Sequence, residues 1–399
     1  MNVLADKMGR GLLLAADTLA VILPRRHVPG NNRNRVLVVR LDALGDFILF
    51  MDALRAIRTR YDSDSWELTL AINHMWKDLL GGQGIADHVL AIDRHRFLSS
   101  FKYRYGVIRA VRKGGFDLAL NPTYSREAML GDSLIRCSFA PERIGWQAAA
   151  DNISTPGRIM ADRWYTKLFP EMGSEIMELE RNAMFVRNLG FNNFEASMPK
   201  LFVQHDWTID ARRILDNEGV RDKFAVMIPG TGPPKERSWP AENWANLCEK
   251  IFRATGLKIV LCGSGSDMSA AEEVVRLSRT PVINLVGATS IDQLAGVISF
   301  ASIVVGSDTG PVHLSGALGV PSVCLLGGAF PGRFFPYSVR GPGPIPVVVS
   351  SEKCQCRRWD CSRIAETQGT FPCIKNIGTE KVLNQVVRLV QNRLEGGNG

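Results

Sequence analysis

Short apolar runs alternate with stretches of helical periodicity along most of the chain. From residue 35 onward, the runs RVLVVRL, WELTLAI, HVLAID and FDLALNP each precede a helical stretch or a polar loop. Short continuous apolar runs are typical of strands that are buried on both faces of a parallel sheet. This part of the chain is therefore predicted to fold as alternating strands and helices.

The series starts again in the second half of the chain. A helical stretch over residues 175–189 closes the first series, and GFNNFEASMPKLFVQHD reads as a linker. The new runs are FAVMIPG, LKIVLCG, PVINLVG, ASIVVGSD and PSVCLLGG, with helices expected near Ala241, Asp267, Ile291 and Pro311. We therefore predict two tandem parallel α/β domains, with ligands at the carboxyl ends of the strands in a cleft between them.

The predicted domains divide the chain into four parts. An N-terminal amphipathic helix and linker takes residues 1–33, and the two α/β domains take 34–205 and 206–378. A final helix is predicted over residues 379–399, and one option is that it packs back on the N-terminal domain. The length of 399 residues and the hydrophobic content of 45% are enough for two separate cores.

The N-terminal run GLLLAADTLAVIL, residues 11–23, is too short to span a bilayer, and its basic residues follow it rather than precede it. Two interpretations remain open. The helix lies on a membrane surface with Arg25, Arg26, Arg33 and Arg35 near anionic lipid, or it docks on the first domain.

Charge and cysteine content narrow the choice of partner and compartment. The chain has 48 Lys and Arg against 40 Asp and Glu, a net charge of +8, which favours an anionic partner such as a nucleotide or a phospholipid surface. No nucleic-acid partner is predicted. Four cysteines stand in apolar stretches and are predicted to be buried free thiols, which indicates a reducing compartment: Cys137, Cys248, Cys262 and Cys324.

Four further cysteines cluster in CQCRRWDCSRIAETQGTFPC: Cys354, Cys356, Cys361 and Cys373. Their spacing is not that of a standard zinc ribbon. A structural tetrathiolate site for Zn or Fe, disulfides and free thiols are the three alternatives.

The segment RLDALGDFILF brings carboxylates to the end of the first strand. Asp46 stands at the start of the next helix, where an acid is commonly an N-cap, but a general base for a hydroxyl nucleophile would lie there as well. Gly45 permits a sharp turn, and Asp42 is the weaker candidate for the base.

Two segments of the second half bear polar groups that suit a nucleotide. In IPGTGPPKERSW, Lys235 and Arg237 would neutralise a diphosphate, whereas Trp239 and Trp244 are expected to pack beneath the loop. In LCGSGSD, Asp267 is either an N-cap or, with Ser266, a partner of ribose hydroxyls.

The segment SDTGPVHLSGALGVP is either a tight connection or an anion-binding helix start.

On the other domain, NPTYSREAML offers Tyr124, Ser125 and Arg126 at the end of the fourth strand. The Arg126 side chain would bind a phosphate or carboxylate of the acceptor, or it would simply be exposed. The motifs of P-loop hydrolysis, serine hydrolysis and zinc proteolysis do not occur in the sequence.

Four segments in order resemble glycosyltransferase family 9, the family of the lipopolysaccharide heptosyltransferases. They are RLDALGD, IPGTGPPKERSWP, NLVGATSIDQLAGVISFASIVVGSDTGPVHLSGALGVP, and LLGG with Pro331 soon after. The resemblance extends from about Arg35 to the last helix.

The resemblance implies a GT-B fold of two Rossmann-like domains that face each other across a cleft. It implies a metal-independent inverting glycosyltransferase that moves a sugar, typically heptose from ADP-heptose, with Asp46 as the base and with His313 and Lys235 near the leaving group. The donor-binding residues expected are Thr231, Lys235, Arg237, Ser266, Asp267, Leu285, Val286, Gly287, Asp308, Thr309, Gly310 and His313. Among them, the resemblance places the NLVG strand end, residues 284–287, at the adenine, with contacts made largely through its backbone. Those expected for the acceptor are Asp42, Gly45, Tyr124, Ser125 and Arg126.

The function expected is transfer to a lipopolysaccharide or related glycolipid by a bacterial cytoplasmic enzyme that associates peripherally with the inner membrane. A transferase that uses another nucleotide sugar or a protein acceptor, and a non-catalytic nucleotide-sugar-binding protein, are the alternatives. Asp46 separates the last of these from the others, because a binding protein needs no base.

Overall fold

The computed structural model describes residues 33–147, 153–173, 175–232, 235–329, 331–339, 344–351, 361 and 369–396, together with residues 13, 15–19 and 22. These residues form two compact units. The N-terminal unit takes those within 1–43, 53–173 and 182–194, and the C-terminal unit takes those within 44–52, 174–181 and 195–399.

The first series of strands and helices follows the chain from residue 34. The strands are β1 (Asn34–Arg40), β2 (Trp66–Asn73), β3 (His88–Ile92), β4 (Leu118–Asn121), β5 (Glu142–Trp146) and β6 (Lys167–Phe169). The helices are α1 (Leu44–Arg60), α2 (Arg94–Ser99), α3 (Phe101–Gly114), α4 (Gly131–Ser138), α5 (Thr155–Asp162) and α6 (Glu178–Asn188), and a 3₁₀ turn spans His74–Leu80.

The second series begins with helix α7 (His205–Asn217). Its strands are β7 (Phe224–Ile228), β8 (Lys258–Leu261), β9 (Val282–Asn284), β10 (Ile303–Ser307), β11 (Ser322–Leu326) and β12 (Val347–Ser350). Its further helices are α8 (Ala241–Thr255), α9 (Met268–Leu277), α10 (Ile291–Phe300), α11 (Gly310–Ala317), α12 (Pro372–Lys375) and α13 (Thr379–Gly396), with 3₁₀ turns over Lys235–Arg237 and Gly265–Asp267.

Both sheets are six-stranded and parallel, and both have the same strand order. The first runs β3-β2-β1-β4-β5-β6, and the second runs β9-β8-β7-β10-β11-β12. This is the doubly wound order in which the direction of winding reverses between the first and fourth strands, and ligands bind beside that switch point. The predicted pair of Rossmann-like sheets is thus confirmed.

Every strand that was predicted from an apolar run is present. Strands β5, β6 and β12 were not predicted. The sequences of β5 and β6, ERIGW and KLF, lack the long apolar run that marks a central strand, and β6 and β12 are edge strands.

The unit division places two short segments differently from a simple cut of the chain. The first turns of α1, residues 44–52, group with the C-terminal unit, as do residues 174–181. The predicted boundaries, 34–205 and 206–378, assign both of these segments to the N-terminal domain instead.

The last helix, α13, belongs to the C-terminal unit. Val382, Val386 and Val390 lie on one face of it and enter the core beneath the second sheet, where Leu247 and Ile251 of α8 also pack. Packing of this helix on the N-terminal unit stays a prediction.

The N-terminal helical residues are tied to the first unit by a buried ion pair. Asp17 is 1% exposed, and its carboxylate accepts hydrogen bonds from Arg104 on α3 at 2.5 and 2.7 Å and from Ser133 on α4. This supports the docked interpretation. On the other face Leu19 and Ile22 are 51% and 74% exposed.

Two of the four arginines that were expected near lipid have protein partners instead. Arg33 and Arg35 both pair with Glu67 on β2, at 3.0 and 3.1 Å. Arg25 and Arg26 lie outside the described residues. No helix in the described part of the chain is long and apolar enough to cross a membrane.

Candidate active site

The start of α1 differs from the N-cap arrangement that the sequence offered as one alternative for Asp46. The N-cap is Ala43, so Asp46 is the third residue of the helix and lies in its first turn, half-buried. A carboxylate in the first turn lies near the positive end of the helix dipole. Asp46 is therefore not the capping residue.

A glycine is needed at position 45 because there is no room for a side chain, and not because the chain makes a sharp turn there. A Cβ atom at this position would lie 2.7 Å from Cδ2 and 3.2 Å from Nε2 of the His313 ring. Similarly, a Cβ at Gly310 would lie 2.7 Å from Cβ of Leu44. These two glycines let the first turn of α1 lie against the first turn of α11, both within the C-terminal unit.

The His313 imidazole is buried and held on three sides. Its Nδ1 atom is 2.5 Å from the hydroxyl oxygen of Tyr337, and its Nε2 atom is 3.6 Å from Oδ1 of Asp308. The ring stacks on Phe335, with 4.3 Å between the ring centroids. Only the edge with Cδ2 and Nε2 faces Gly45 and Asp308.

The basic loop after β7 is joined directly to the turn after β10. Arg237 donates from Nη2 to the carbonyl oxygen of Asp308 at 3.1 Å. Lys235 in the same 3₁₀ turn is exposed. Thr231 lies at the start of the loop, with its hydroxyl 2.9 Å from that of Ser238. Since β7 and β10 flank the switch point of the second sheet, the two cations stand where this fold binds ligands.

A cavity of about 410 Å³ opens beside this loop. Its lining includes Lys235 together with Ser266 and Asp267, and Trp239 and Trp244 form part of its wall. The two indoles are 2% and 1% exposed and make an edge-to-face pair with centroids 5.2 Å apart. The prediction that both tryptophans pack beneath the loop is confirmed.

Asp267 has a structural partner as well as a place on the cavity. Its Oδ2 accepts from the amide and hydroxyl groups of Ser264 at 3.0 and 2.6 Å, and Asp267 is itself the N-cap residue of α9. Gly230 approaches so closely that a Cβ there would overlap the carboxylate of Asp267.

The three residues expected at the adenine have their amide groups engaged. Leu285 donates to the carbonyl of Leu261 at 2.9 Å, Val286 to Oδ1 of Asn284 at 3.1 Å, and Gly287 to the carbonyl of Gly263 at 3.0 Å. An adenine contact through the backbone here would therefore use carbonyl oxygens, and it stays a prediction.

The turn after β10 caps α11. Thr309 is the N-cap residue, and its hydroxyl donates to the carbonyl of Ser307 at 3.1 Å. Asp308 and Arg237 border a small second cavity of about 30 Å³. Two of the clustered cysteines, Cys361 and Cys373, border the same cavity.

Cys361 is a free thiol and Cys373 is buried, whereas Cys354 and Cys356 lie outside the described residues. Within the described ranges, no three His, Cys, Asp or Glu side chains are grouped so as to hold a metal ion. A four-cysteine site therefore stays a prediction. The four cysteines of the apolar stretches are confirmed as buried free thiols, and burial raises the pKa of Cys137, Cys248 and Cys262 to about 12.

On the N-terminal unit, Asp42 follows β1 and is held by its neighbours. Its carboxylate pairs with the buried Arg40 at 3.0 Å and accepts from the Thr123 hydroxyl at 3.2 Å. Its carbonyl oxygen accepts from the Trp76 indole at 3.1 Å. These contacts hold the backbone that leads from β1 to Gly45 and Asp46.

Two of the other predicted acceptor residues are buried. Tyr124 is 2% exposed and donates to the carbonyl of Met172 at 2.5 Å, and Arg126 is 1% exposed. Arg126 contacts the carboxylates of Asp162 and Asp132 and lies over the Tyr165 ring. Such burial gives no support to either interpretation of Arg126, as an acceptor ligand or as an exposed side chain. Ser125 is half-buried.

Side chains of both units were not predicted from the sequence. On the N-terminal unit, Arg94 donates to the carbonyl of Leu41 and to Glu127, at 2.9 and 2.8 Å. On the C-terminal unit, Phe335 and Tyr337 were not predicted. The aromatic run FFPY after the LLGG strand was the available signal, because aromatic residues close to a predicted site histidine can hold its ring.

The arrangement is that of the GT-B class, with two doubly wound sheets and polar loops at the switch point of the second. The profile of glycosyltransferase family 9 (heptosyltransferase) matches residues 104–358. The chain belongs to this family of glycosyltransferases.

Known proteins and structures agree with this assignment. Lipopolysaccharide heptosyltransferase 3 of Escherichia coli K12 is 27% identical over 227 residues, which are 55% of this chain and 61% of that protein. Lipopolysaccharide heptosyltransferase 1 of Salmonella typhimurium is 28% identical, over 75% of this chain and 90% of that protein.

Among solved structures, a family 9 glycosyltransferase from Veillonella parvula has a TM-score of 0.70 at 21% identity, covering 90% of this chain and 97% of that one. E. coli heptosyltransferase WaaC with ADP-2-deoxy-2-fluoro heptose has a TM-score of 0.61 at 17% identity, covering 90% and 99%. The GT-B type of fold that the resemblance implied is confirmed.

Proposed function

We propose that the protein is an inverting, metal-independent glycosyltransferase that moves a heptose from an ADP-heptose-like donor to a lipopolysaccharide-type glycolipid. The observation that carries the proposal is the close approach of Gly45 to His313. It brings the turn with Asp46 next to the Asp308 turn and to Arg237, and so joins a carboxylate to a cationic, donor-rich loop.

In the proposed reaction, an acceptor hydroxyl attacks the anomeric carbon while the bond from that carbon to the diphosphate breaks. Asp46 takes the hydroxyl proton, and the nucleoside diphosphate leaves on the opposite face, so the anomeric centre is inverted. A carboxylate is a weak base for an alcohol, so we expect the proton to move late, after bond formation to the sugar has begun.

Negative charge grows on the departing diphosphate as the bond breaks. Lys235, Arg237 and the amide groups at the start of α11 are suited to stabilise that charge more strongly in the transition state than in the bound donor. These cations would supply the positive charge that a divalent metal supplies in other transferases. His313 would add a hydrogen bond near the leaving oxygen.

The donor and acceptor are suggested by relatives. Two of the similar E. coli structures hold ADP or an ADP-heptose analogue, and several relatives are named lipopolysaccharide heptosyltransferases. On this basis we assign Ser266 and Asp267 to the ribose hydroxyls, Thr231, Thr309 and Gly310 to the diphosphate region, and the loop after β1 to the acceptor.

Asp46→Asn tests the assigned base. Turnover should fall by about 10²- to 10⁴-fold, the range for a general base, while calorimetry gives an unchanged dissociation constant for ADP. Asp52→Asn is the matched control. Asp52 lies about two turns after Asp46 on the same helix and accepts a hydrogen bond from the Ser197 hydroxyl. Retained turnover in Asp46→Asn would rule out this base.

Product analysis tests the donor. Mass spectrometry of reactions with a panel of nucleotide sugars should give a heptose adduct of the glycolipid, and its anomeric configuration should be opposite to that of the donor. Another sugar or a glycosylated protein would favour the alternative transferases. Donor binding without product under all conditions would favour a binding protein.

The acceptor also suggests where the protein works. We propose peripheral association with the cytoplasmic face of the inner membrane through Leu19 and Ile22, which are exposed on the helix that Asp17 holds in place. Deleting this helix would leave Arg104 buried without its carboxylate, so point changes are preferable.

The membrane proposal is tested by flotation with vesicles of phosphatidylethanolamine and phosphatidylglycerol. The double change Leu19→Glu and Ile22→Glu should abolish flotation. Ile209→Glu is the control, because Ile209 is 53% exposed on α7 of the other unit. Equal flotation of all three proteins would contradict the assignment.

A further inference from the structure

We propose that Tyr337 is a positioning residue that holds His313 in the tautomer with its proton on Nε2. The pair is buried beside the turn after β10, and the inference rests on the proposed function only for its catalytic consequence. The proton placement itself follows from hydrogen-bonding geometry.

The Tyr337 hydroxyl has one hydrogen-bond partner among the described residues, Nδ1 of His313 at 2.5 Å. Tyr337 is 7% exposed, and burial raises the pKa of its hydroxyl well above the usual value, with Cys324 and Asp308 adding to the rise. The hydroxyl therefore keeps its proton and needs an acceptor.

Only one arrangement of protons satisfies both side chains. If the tyrosine donates, Nδ1 offers its lone pair and the ring proton stands on Nε2. If instead Nδ1 carried the proton and donated to the tyrosine, the hydroxyl proton would be left in a buried place without an acceptor. An unsatisfied buried donor is destabilising, so the first arrangement is favoured.

The other groups around the ring agree with this arrangement. Nε2 faces Oδ1 of Asp308 at 3.6 Å, a carboxylate oxygen that can only accept when ionised. Phe335 stacks at 4.3 Å and fixes the ring plane without offering a donor or an acceptor in that plane.

The consequence is a fixed donor on the edge of the ring that faces Gly45 and Asp308. An Nε2–H group is directed between Asp308 and the Gly45 turn, where the departing diphosphate oxygen is proposed to lie. With the opposite tautomer the same atom would offer a lone pair to an anion and repel it. Tyr337 would thus act through His313 without touching the substrate.

Nuclear magnetic resonance of ¹⁵N-histidine-labelled protein tests the tautomer directly. The chain has 6 histidines, and the His313 signals are assigned as those lost in His313→Asn. In the unsubstituted protein Nδ1 should give the unprotonated, downfield signal and Nε2 the protonated one. The reverse pattern would overturn the proposal, and this measurement needs no Tyr337 variant.

Tyr337→Phe removes the hydroxyl and keeps the ring stack. The two nitrogen signals of His313 should move towards each other as the second tautomer becomes populated, and Asp308→Asn should move them less. Tyr165→Phe, which removes a buried hydroxyl from the N-terminal unit, is the matched control and should leave the His313 signals in place. An unchanged His313 spectrum in Tyr337→Phe would also overturn the proposal.

Turnover then connects the tautomer to the reaction. Tyr337→Phe should lower kcat about 10-fold, the effect of weakening one hydrogen bond to a charged group, with little change in KM for the acceptor. If the tautomer pattern is as expected and no sugar is transferred by any variant, the proposed function fails while the role of Tyr337 in placing the proton stands.

Discussion

The two sheets have the same strand order, but the polar side chains beside their switch points are used in opposite ways. After β4 of the N-terminal unit, Arg126, Asp132 and Asp162 are directed towards one another. After β7 and β10 of the C-terminal unit, Lys235 is exposed on a cavity, and His313 is buried with one ring edge against Gly45 and Asp308. Shared topology thus gives a closed cluster of paired charges in one unit and an open cluster around Lys235 in the other.

The comparison predicts that changes in the closed cluster affect stability and that changes in the open cluster affect binding and turnover. The largest expected effect is that of Arg126→Ala. Burial raises the pKa of Asp132, and Arg126 is the main opposing influence, so its loss leaves a buried carboxyl group without a cation. The free energy of unfolding should fall by about 3 to 5 kcal/mol.

Denaturant unfolding of Arg126→Ala measures that loss. Arg213→Ala is the control, because its ion pair with Asp210 is exposed and should contribute less than about 1 kcal/mol. A folded Arg126→Ala protein should bind ADP with unchanged affinity. A weaker ADP complex with normal stability would place Arg126 in the ligand site and break the comparison.

Gly45→Ala is expected to have the next largest effect. The added methyl group would contact the His313 ring at 2.7 Å, so either the α1 turn or the ring must move. A displacement of this order should lower turnover by about 10²-fold. Gly106→Ala on α3 meets no atom within 4 Å and is the matched control, which should be neutral or slightly stabilising. Turnover that survives Gly45→Ala would show that the approach is not needed.

Lys235→Ala should have the smallest effect of the three. Lys235 is exposed and interacts with an anion partly through solvent, so we expect ADP to bind about 10-fold more weakly in calorimetry. The effect should shrink as salt is added. Lys77→Ala removes an exposed cation of the N-terminal unit and should leave ADP affinity as it was.

Much of this comparison was predictable from sequence, and the limits have physical reasons. The apolar runs predicted the central strands, and the family resemblance placed Asp46, Arg237 and His313 in one site. The fate of Arg126 was not predictable, because Asp132 and Asp162 reach it only through folding. The sequence alone does not distinguish an arginine that binds a ligand from one that pairs with two carboxylates of the same chain.

The role of Gly45 shows a second limit. A glycine beside an acid at a helix start suggests a turn, yet in the structure it allows close contact with His313, which is far away in the sequence. Tyr337 was missed for the same reason, since its partner is fixed by tertiary packing and not by local pattern.

Hydrogen exchange of the intact protein with and without ADP tests the central contrast most directly. We predict slower exchange in the segments after β7 and β10, over residues 235–238 and 307–314, with no change over residues 121–132 after β4. Protection over 121–132 with none in the two C-terminal segments would contradict the account, because the closed cluster would then be the one that meets the nucleotide.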